Sequence, residues 1–173
     1  MAYFDIVNGA ADENEATNFA KLFGYKKIFT LGKEVFILDC KDVNPSDKKV
    51  IIRNNANTGM LVKCLRMQNV IGILTDSAPS GNVLESIKQN NKIIILNSSE
   101  LTCVDKRQRI SNLFRFKRIV SSGMHKKTEI AIATFANDKE QMLSSMQLVE
   151  IAKFIGADGD TARKMVSKFG DVL

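Results

Sequence analysis

The sequence predicts an α/β fold with parallel strands, in the form of a reduced (β/α) barrel that lacks helices after its second and third strands. Three observations predict it. From Val50 onward the strand candidates are unbroken apolar runs, among them Val70-Ile71-Gly72-Ile73-Leu74 and Ile93-Ile94-Ile95-Leu96, as expected of parallel strands covered on both faces. Those runs alternate with helical stretches, the rhythm of a parallel sheet. Seven strand candidates then favour a barrel over an open doubly wound sheet. At 173 residues, 45% hydrophobic with ten Phe, the chain is read as one domain over residues 1–173 with enough apolar mass for one core.

The elements follow in order. Tyr3–Val7 is a short strand. Asp12 with Glu15 three residues on has the spacing of a capping box, opening a helix through Phe19, Ala20 and Phe23. Strands at Ile28–Leu31 and Val35–Leu38 are separated only by Gly32-Lys33-Glu34, and Asn44-Pro45-Ser46-Asp47 makes a turn, so no helix fits in either connection. The regular part is a strand at Lys49–Arg53, helix at Thr58–Met67, strand at Val70–Thr75, helix at Pro79–Gln89 and strand at Lys92–Leu96, with Pro79 in a first helical turn. Asp105 caps a helix to about Ser122, Glu129–Phe135 is the last strand, Asp138 opens a helix reaching Phe154 and ending at Gly156, and a short helix follows Asp160.

Chemistry is sparse at the carboxyl ends of the strands, where parallel α/β folds place their sites. Those ends carry Asp5, Asp39, Asn54, Asp76, Asn97 and Thr134. Asp5, Asp39 and Asp76 could together hold a magnesium ion for a small metal-dependent phosphoesterase, against the ordinary use of Asp as a turn or helix cap. A hydrolytic zinc or iron barrel needs several imidazoles, and this chain has one histidine, His125, in a basic loop. There is no G-x-G-x-x-G after the first strand, no P-loop lysine pattern and no nucleophile elbow. Asp158-Gly159-Asp160 lacks the terminal Glu of a calcium loop and reads as a turn and cap. No cofactor or metal is therefore expected.

Cys40, Cys64 and Cys103 are odd in number and embedded in apolar segments, so they read as reduced core residues of a cytoplasmic protein. No apolar run approaches the roughly 20 residues that cross a bilayer, and the opening residues carry no export signal.

The informative feature is charge. Of the net +6, the excess lies late: Lys106, Arg107, Arg109, Arg115, Lys117, Arg118, Lys126 and Lys127 occur with no acidic residue among them. On a helix at about 100° per residue, Ile110, Leu113, Phe114 and Val120 share an apolar arc, while Arg107, Arg115 and Arg118 form a stripe on another face with Ser111 between them. Lys117 falls near the apolar arc, where its stem can pack while the ammonium reaches water. Guanidinium forks match phosphate oxygens and supply salt-dependent affinity for a polynucleotide. An unneutralised row of them is a candidate RNA surface.

In order and spacing, four stretches resemble the TIM-barrel protein subunit, component three, of archaeal and eukaryotic ribonuclease P. These are Tyr3-Phe4-Asp5-Ile6 with its helix; Ile51-Ile52-Arg53-Asn54-Asn55 with the helix to Met67; the basic run Lys106–Arg115; and Ile130–Ala136 followed by Met142–Gly156 and Ala162–Ser167. Asn137-Asp138-Lys139-Glu140-Gln141 stands where the family carries an Arg-x-Pro-like element. The resemblance implies a TIM-like barrel that binds and stabilises the catalytic RNA of an endoribonuclease. That RNA removes the 5′ leader of precursor tRNA, with a second small subunit of ferredoxin-like type alongside. The protein would then meet precursor tRNA only indirectly and carry no catalytic residue. The residues expected on RNA are Lys106, Arg107, Arg109, Arg115, Arg118, Lys126 and Lys127, then Arg53, Lys63 and Arg66. The rival classes are the phosphoesterase above and a module whose basic face meets an acidic protein.

Overall fold

The computed structural model describes residues 2–7, 13–45, 48–137 and 141–173, and the side chains of the first helix from residue 17 on. Its elements are β1 (Phe4–Val7), α1 (Glu13–Phe23), β2 (Lys27–Thr30), β3 (Val35–Leu38), β4 (Lys49–Arg53), α2 (Thr58–Leu65), β5 (Val70–Leu74), α3 (Gly81–Gln89), β6 (Ile93–Asn97), α4 (Lys106–Lys126), β7 (Glu129–Ala133), α5 (Ser145–Phe154), α6 (Gly159–Ser167) and α7 (Phe169–Val172). A 3₁₀ turn, Ser98–Leu101, joins β6 to α4.

Every strand pairing among the described residues is parallel, as the apolar runs predict. The strands form two ladders, β1-β2 and β3-β4-β5-β6-β7, rather than one continuous ring. The ladders meet at two seams. Val7 bridges Ala136, and the Phe135 amide donates to the Ile6 carbonyl at 2.9 Å. Leu31 bridges Val35, and the Gly32 amide donates to the Val35 carbonyl at 2.8 Å. The connections from β2 to β3 and from β3 to β4 contain no helix among the described residues, as expected.

Both strand faces are buried, and by different partners. Ile6, Phe29, Val35, Ile51, Ile71, Ile93 and Ala131, one from each of the seven strands, pack in a single cluster with Phe169 of α7. The alternating neighbours Val50, Ile52, Ile94, Leu96, Ile130 and Ile132 pack instead with Leu61, Leu65, Leu84, Ile87, Phe116, Ile119 and Leu148 from the helices, because successive side chains on a strand point to opposite faces. Gly72 sits where β4 and β5 shift register and faces Ile93 of β6 so closely that a Cβ would collide with the Ile93 carbonyl oxygen. Only glycine lets those two backbones approach.

The short C-terminal helix α7 was not foreseen from the sequence. Phe169 is fully buried, and Gly170 lies against the Phe4 ring, which itself stacks on Phe29 at 6.1 Å. Lys168 pairs with Glu129 at the start of β7 and with Asp171. The segment thereby covers the amino ends of β1 and β7. The pattern Lys-Phe-Gly-Asp is too short to show a periodicity, which is why it carries no sequence signal.

Several boundaries differ from expectation. Asp12 and Asp138 lie outside the described residues, as do Ser46 and Asp47 of the expected turn, and Glu15 lies outside the described side chains. Pro79 precedes α3 rather than opening it, with Ser80 at the N-cap. The helix assigned to Asp138 begins at Ser145, where Ser144 and Gln147 form a reciprocal capping box that the sequence expectation passed over. Asp158, not Asp160, caps α6, through the amides of Asp160 and Thr161. Cys40 and Cys64 are buried as expected, but Cys103 is half-exposed.

Two substitutions test this packing by urea unfolding. Phe169→Ala should cost about 3 to 5 kcal/mol, as for other fully buried Phe truncations. Gly72→Ala should also destabilise, by at least about 1 kcal/mol, although it adds only one methyl group.

Candidate nucleic-acid interface

α4 is long and starts against its own dipole. At 21 residues it spans about 30 Å. Its first turn carries Lys106, Arg107 and Arg109 and no acid, adding cations to the end where the peptide dipoles already point positive. Asp105 offsets part of this as the N-cap, accepting from the Arg107 amide at 2.8 Å and the Gln108 amide at 3.4 Å. The helix N-terminus is left attractive to anions.

The buried side of α4 keeps only part of the expected apolar arc, with Val120 buried and Leu113 half-buried. Asn112, Phe116, Ile119, Val120 and Gly123 face inward, and Asn112 anchors the helix by donating to the Glu100 carbonyl at 2.8 Å. A Cβ on Gly123 would crowd Ile130 at 2.7 Å, so the glycine lets the helix approach β7. Leu113 is half-buried, whereas Ile110 and Phe114 are 46% and 68% exposed. The expectation weighted side-chain type alone. Asn112 with its backbone partner and Gly123 at its close approach lie on the side that Phe116, Ile119 and Val120 bury, and Ile110 and Phe114 are left outside it.

The outward face therefore mixes cations and apolar groups. Arg107, Phe114 and Arg118, at offsets of zero, seven and eleven residues, share one stripe, with Ile110 and Lys117 beside it. All five are exposed. The Lys117 ammonium lies 5.1 Å from the Phe154 ring of α5, itself 63% exposed. Neither Arg107 nor Arg118 has an ion-pair partner among the described residues.

Arg115 departs from the stripe. It pairs with Glu100 and donates to the Asp76 carbonyl at 3.0 Å, which overturns the expectation that no acid meets this face. The acid that meets it, Glu100, belongs to the 3₁₀ turn and lies six residues before the first residue of the helix. Burial holds the Glu100 carboxyl above its ordinary range, against the pull of Arg115 and with Asp76 adding to the rise. Arg115 is thus a tie between the ends of β5 and β6 and the helix.

The other candidates are scattered. Lys126 lies in the last turn of α4, where a cation suits the negative end of the dipole, and Lys127 is its left-handed C-cap at φ 55°. His125 is in the same last turn and not in a loop. Arg53 ends β4 and approaches Asp39 at 3.8 Å. Lys63 and Arg66 are exposed at the end of α2, and Arg66 lines a groove between α2 and α3 that Glu85 also lines. The structure puts Lys106, Arg107, Arg109 and Arg118 along one helix, with Lys126 and Lys127 at its far end and Lys63 and Arg66 on α2.

The carboxylates do not form a cation site. No three His, Cys, Asp or Glu side chains come together among the described residues. Asp39 accepts from the Asn55 amide group at 2.8 Å, and Asp76 contributes its carbonyl to Arg115. Asp5 is fully buried and accepts from the Thr134 amide at 2.7 Å, the Thr134 hydroxyl at 2.5 Å and the Ile6 amide at 2.9 Å. It clamps β1 to the end of β7 beside Phe135, whose φ of 48° takes the chain out of the strand. The grouping of Asp5 with Asp39 and Asp76 is therefore replaced by a structural role for Asp5.

No family model and no curated protein matches this chain. Among solved structures it resembles a chain in the cryo-EM structure of archaeal ribonuclease P with mature tRNA, with TM-score 0.71 and 14% identity over 98% of this chain and 80% of that one. The likeness extends over nearly the whole described fold and is one of architecture. No helix among the described residues is long and apolar enough to cross a membrane.

Asp5 gives a pH test of the clamp. Burial raises its carboxyl from 3.8 to about 7, against the lowering effect of the Thr134 and Ile6 hydrogen bonds. Between those values the native state holds a proton that the unfolded chain has released. The contribution of Asp5 to stability should thus be full below about pH 4, fall by about 4 kcal/mol up to pH 7 and change no further above it. Thermal melts of Asp5→Asn against the parent should show that slope removed; parallel profiles would contradict the assignment.

Proposed function

We propose that this chain is the TIM-barrel-type protein subunit of a ribonuclease P, a single domain over residues 1–173 that binds and stabilises the catalytic RNA while that RNA removes the 5′ leader of precursor tRNA. The outward face of α4 carries the proposal: Arg107 and Arg118 stand without ion-pair partners among the described residues, flanking an exposed Phe114. Arginines beside an exposed aromatic ring suit RNA, the guanidinium forks taking phosphates and the ring a splayed base. The likeness in fold to a chain of archaeal ribonuclease P supports the same reading. So does the strand arrangement, in which the two seams would complete a seven-stranded reduced barrel.

In this reading Lys106, Arg107, Arg109 and Arg118 are the principal RNA contacts, with Lys126, Lys127, Arg53, Lys63 and Arg66 as outlying ones. Arg115 positions the helix through Glu100. Precursor tRNA is met indirectly, a second subunit of ferredoxin-like type sits alongside, and the compartment is the cytoplasm of an archaeal cell.

Reconstitution tests the proposal. Adding the chain to an archaeal ribonuclease P RNA and the ferredoxin-like subunit should accelerate precursor tRNA cleavage, while the chain alone should cleave nothing. Phosphodiester cleavage by the purified chain with magnesium or manganese, abolished in Asp76→Ala, would overturn it in favour of the phosphoesterase reading. In direct binding, replacing Lys106, Arg107 and Arg118 with Ala should weaken RNA affinity and reduce the salt slope by about one unit for each phosphate no longer neutralised. Arg115→Ala should chiefly lower thermal stability.

A further inference from the structure

Of the chain's ten phenylalanines, eight are buried or half-buried and two are exposed, Phe114 at 68% and Phe154 at 63%. These two stand on different helices, α4 and α5, yet both neighbour Lys117. Phe114 lies one turn before it on the same helix, and the Lys117 ammonium is 5.1 Å from the centre of the Phe154 ring. Helix geometry accounts for both exposures. Each ring sits two residues, about 200° of helix, from a buried anchor, Phe114 from Phe116 and Phe154 from Ala152. Packing of α4 and α5 on the sheet therefore turns both rings outward. Glu150, which shares a shallow recess with Phe154, is engaged by Lys153 at 2.7 Å.

A phenylalanine ring offers a face for stacking and no hydrogen-bonding group. Nucleobases of every identity stack on such a face, and each nucleotide brings a phosphate along with its base. Arg107, Lys117 and Arg118 are exposed around the two rings, so one strand can meet rings with its bases and cations with its backbone. A protein partner that buried the rings would have to bury these cations as well, at a desolvation cost that only a matching set of carboxylates would offset. The form of the nucleic acid follows from the same chemistry. Within an RNA duplex each base is stacked on its neighbours and has no free face, whereas an unpaired base does.

We propose that Phe114 and Phe154, joined by Lys117, form a stacking platform for an unpaired RNA segment, taken without sequence preference and held through its phosphates by Arg107 and Arg118. The proposal rests on the RNA-binding reading of α4 given above and deepens it. It names the form of RNA that the face takes, and it extends the face onto α5, outside the basic segment.

The test measures anisotropy of a labelled oligoadenylate strand and of a labelled RNA duplex with the same number of phosphates, across salt concentrations. Three full-length proteins are compared: the parent, a ring variant (Phe114→Leu, Phe154→Leu) that keeps apolar bulk but removes both π faces, and a cation variant (Arg107→Gln, Arg118→Gln). All should melt like the parent. The ring variant should bind the strand about tenfold more weakly with an unchanged salt slope, and the duplex as the parent does. The cation variant should weaken on both, with a smaller slope. The chain contains no tryptophan, so a Phe154→Trp protein carries one fluorophore on the platform; it should keep parental affinity and be quenched by the strand and not by the duplex. Parental affinity for the strand in the ring variant, with weakened binding in the cation variant, would overturn the platform and leave α4 as a face for the RNA backbone. Equal losses on strand and duplex, or an unquenched Trp, would overturn it too. Parental binding in every variant would remove the platform and the RNA face together. A ring variant with parental RNA binding that no longer assembles with the ferredoxin-like subunit would give the rings to a protein partner and overturn the proposal.

Discussion

Parallel strands must bury both faces, and that constraint organises this molecule. A strand such as Ile93–Asn97, with four consecutive isoleucine and leucine residues, has no side it can show to water. One set of its side chains joins the cluster to which all seven strands contribute, and the other set meets the helices. Everything else is arranged around keeping both clusters dry. Phe169 and Phe4 pack on the seven-strand cluster at the amino ends of β1 and β7, and the Asp5 carboxyl ties β1 to β7 where regular pairing stops.

Helix α4 meets the same constraint in a way that frees its outer face. Asn112 and Gly123 fix how the helix lies, so Phe116, Ile119 and Val120 supply its buried contacts and Phe114 turns outward among arginines. The helix is then exposed where its charge is greatest, with the first-turn cations reinforcing the positive end of its dipole. An arrangement unfavourable to the isolated helix becomes favourable beside a phosphate backbone.

Much of the fold was legible in the sequence because it is written in local pattern. Unbroken apolar runs marked the parallel strands, and the short Gly32-Lys33-Glu34 connection marked the missing helix. Helix starts were legible where the cap itself was recognised, as at Asp105, and misplaced where it was not, as at Ser144 and Ser80. The site was only half legible. The basic composition of α4 was plain, yet which residues face outward depended on Asn112 finding the Glu100 carbonyl and on Gly123 meeting Ile130, both contacts between separate elements. The Glu100 partner of Arg115 and the clamp between Asp5 and Thr134, 129 residues apart, are likewise invisible to periodicity.

The central claim is that RNA lies along the outer face of α4. Photo-crosslinking of the chain to an archaeal ribonuclease P RNA, followed by mass spectrometry of the adducts, tests it most directly. Nucleotide adducts should map to the peptide containing Arg107, Phe114 and Arg118. RNA bound with undiminished affinity but crosslinked nowhere on α4 would contradict it.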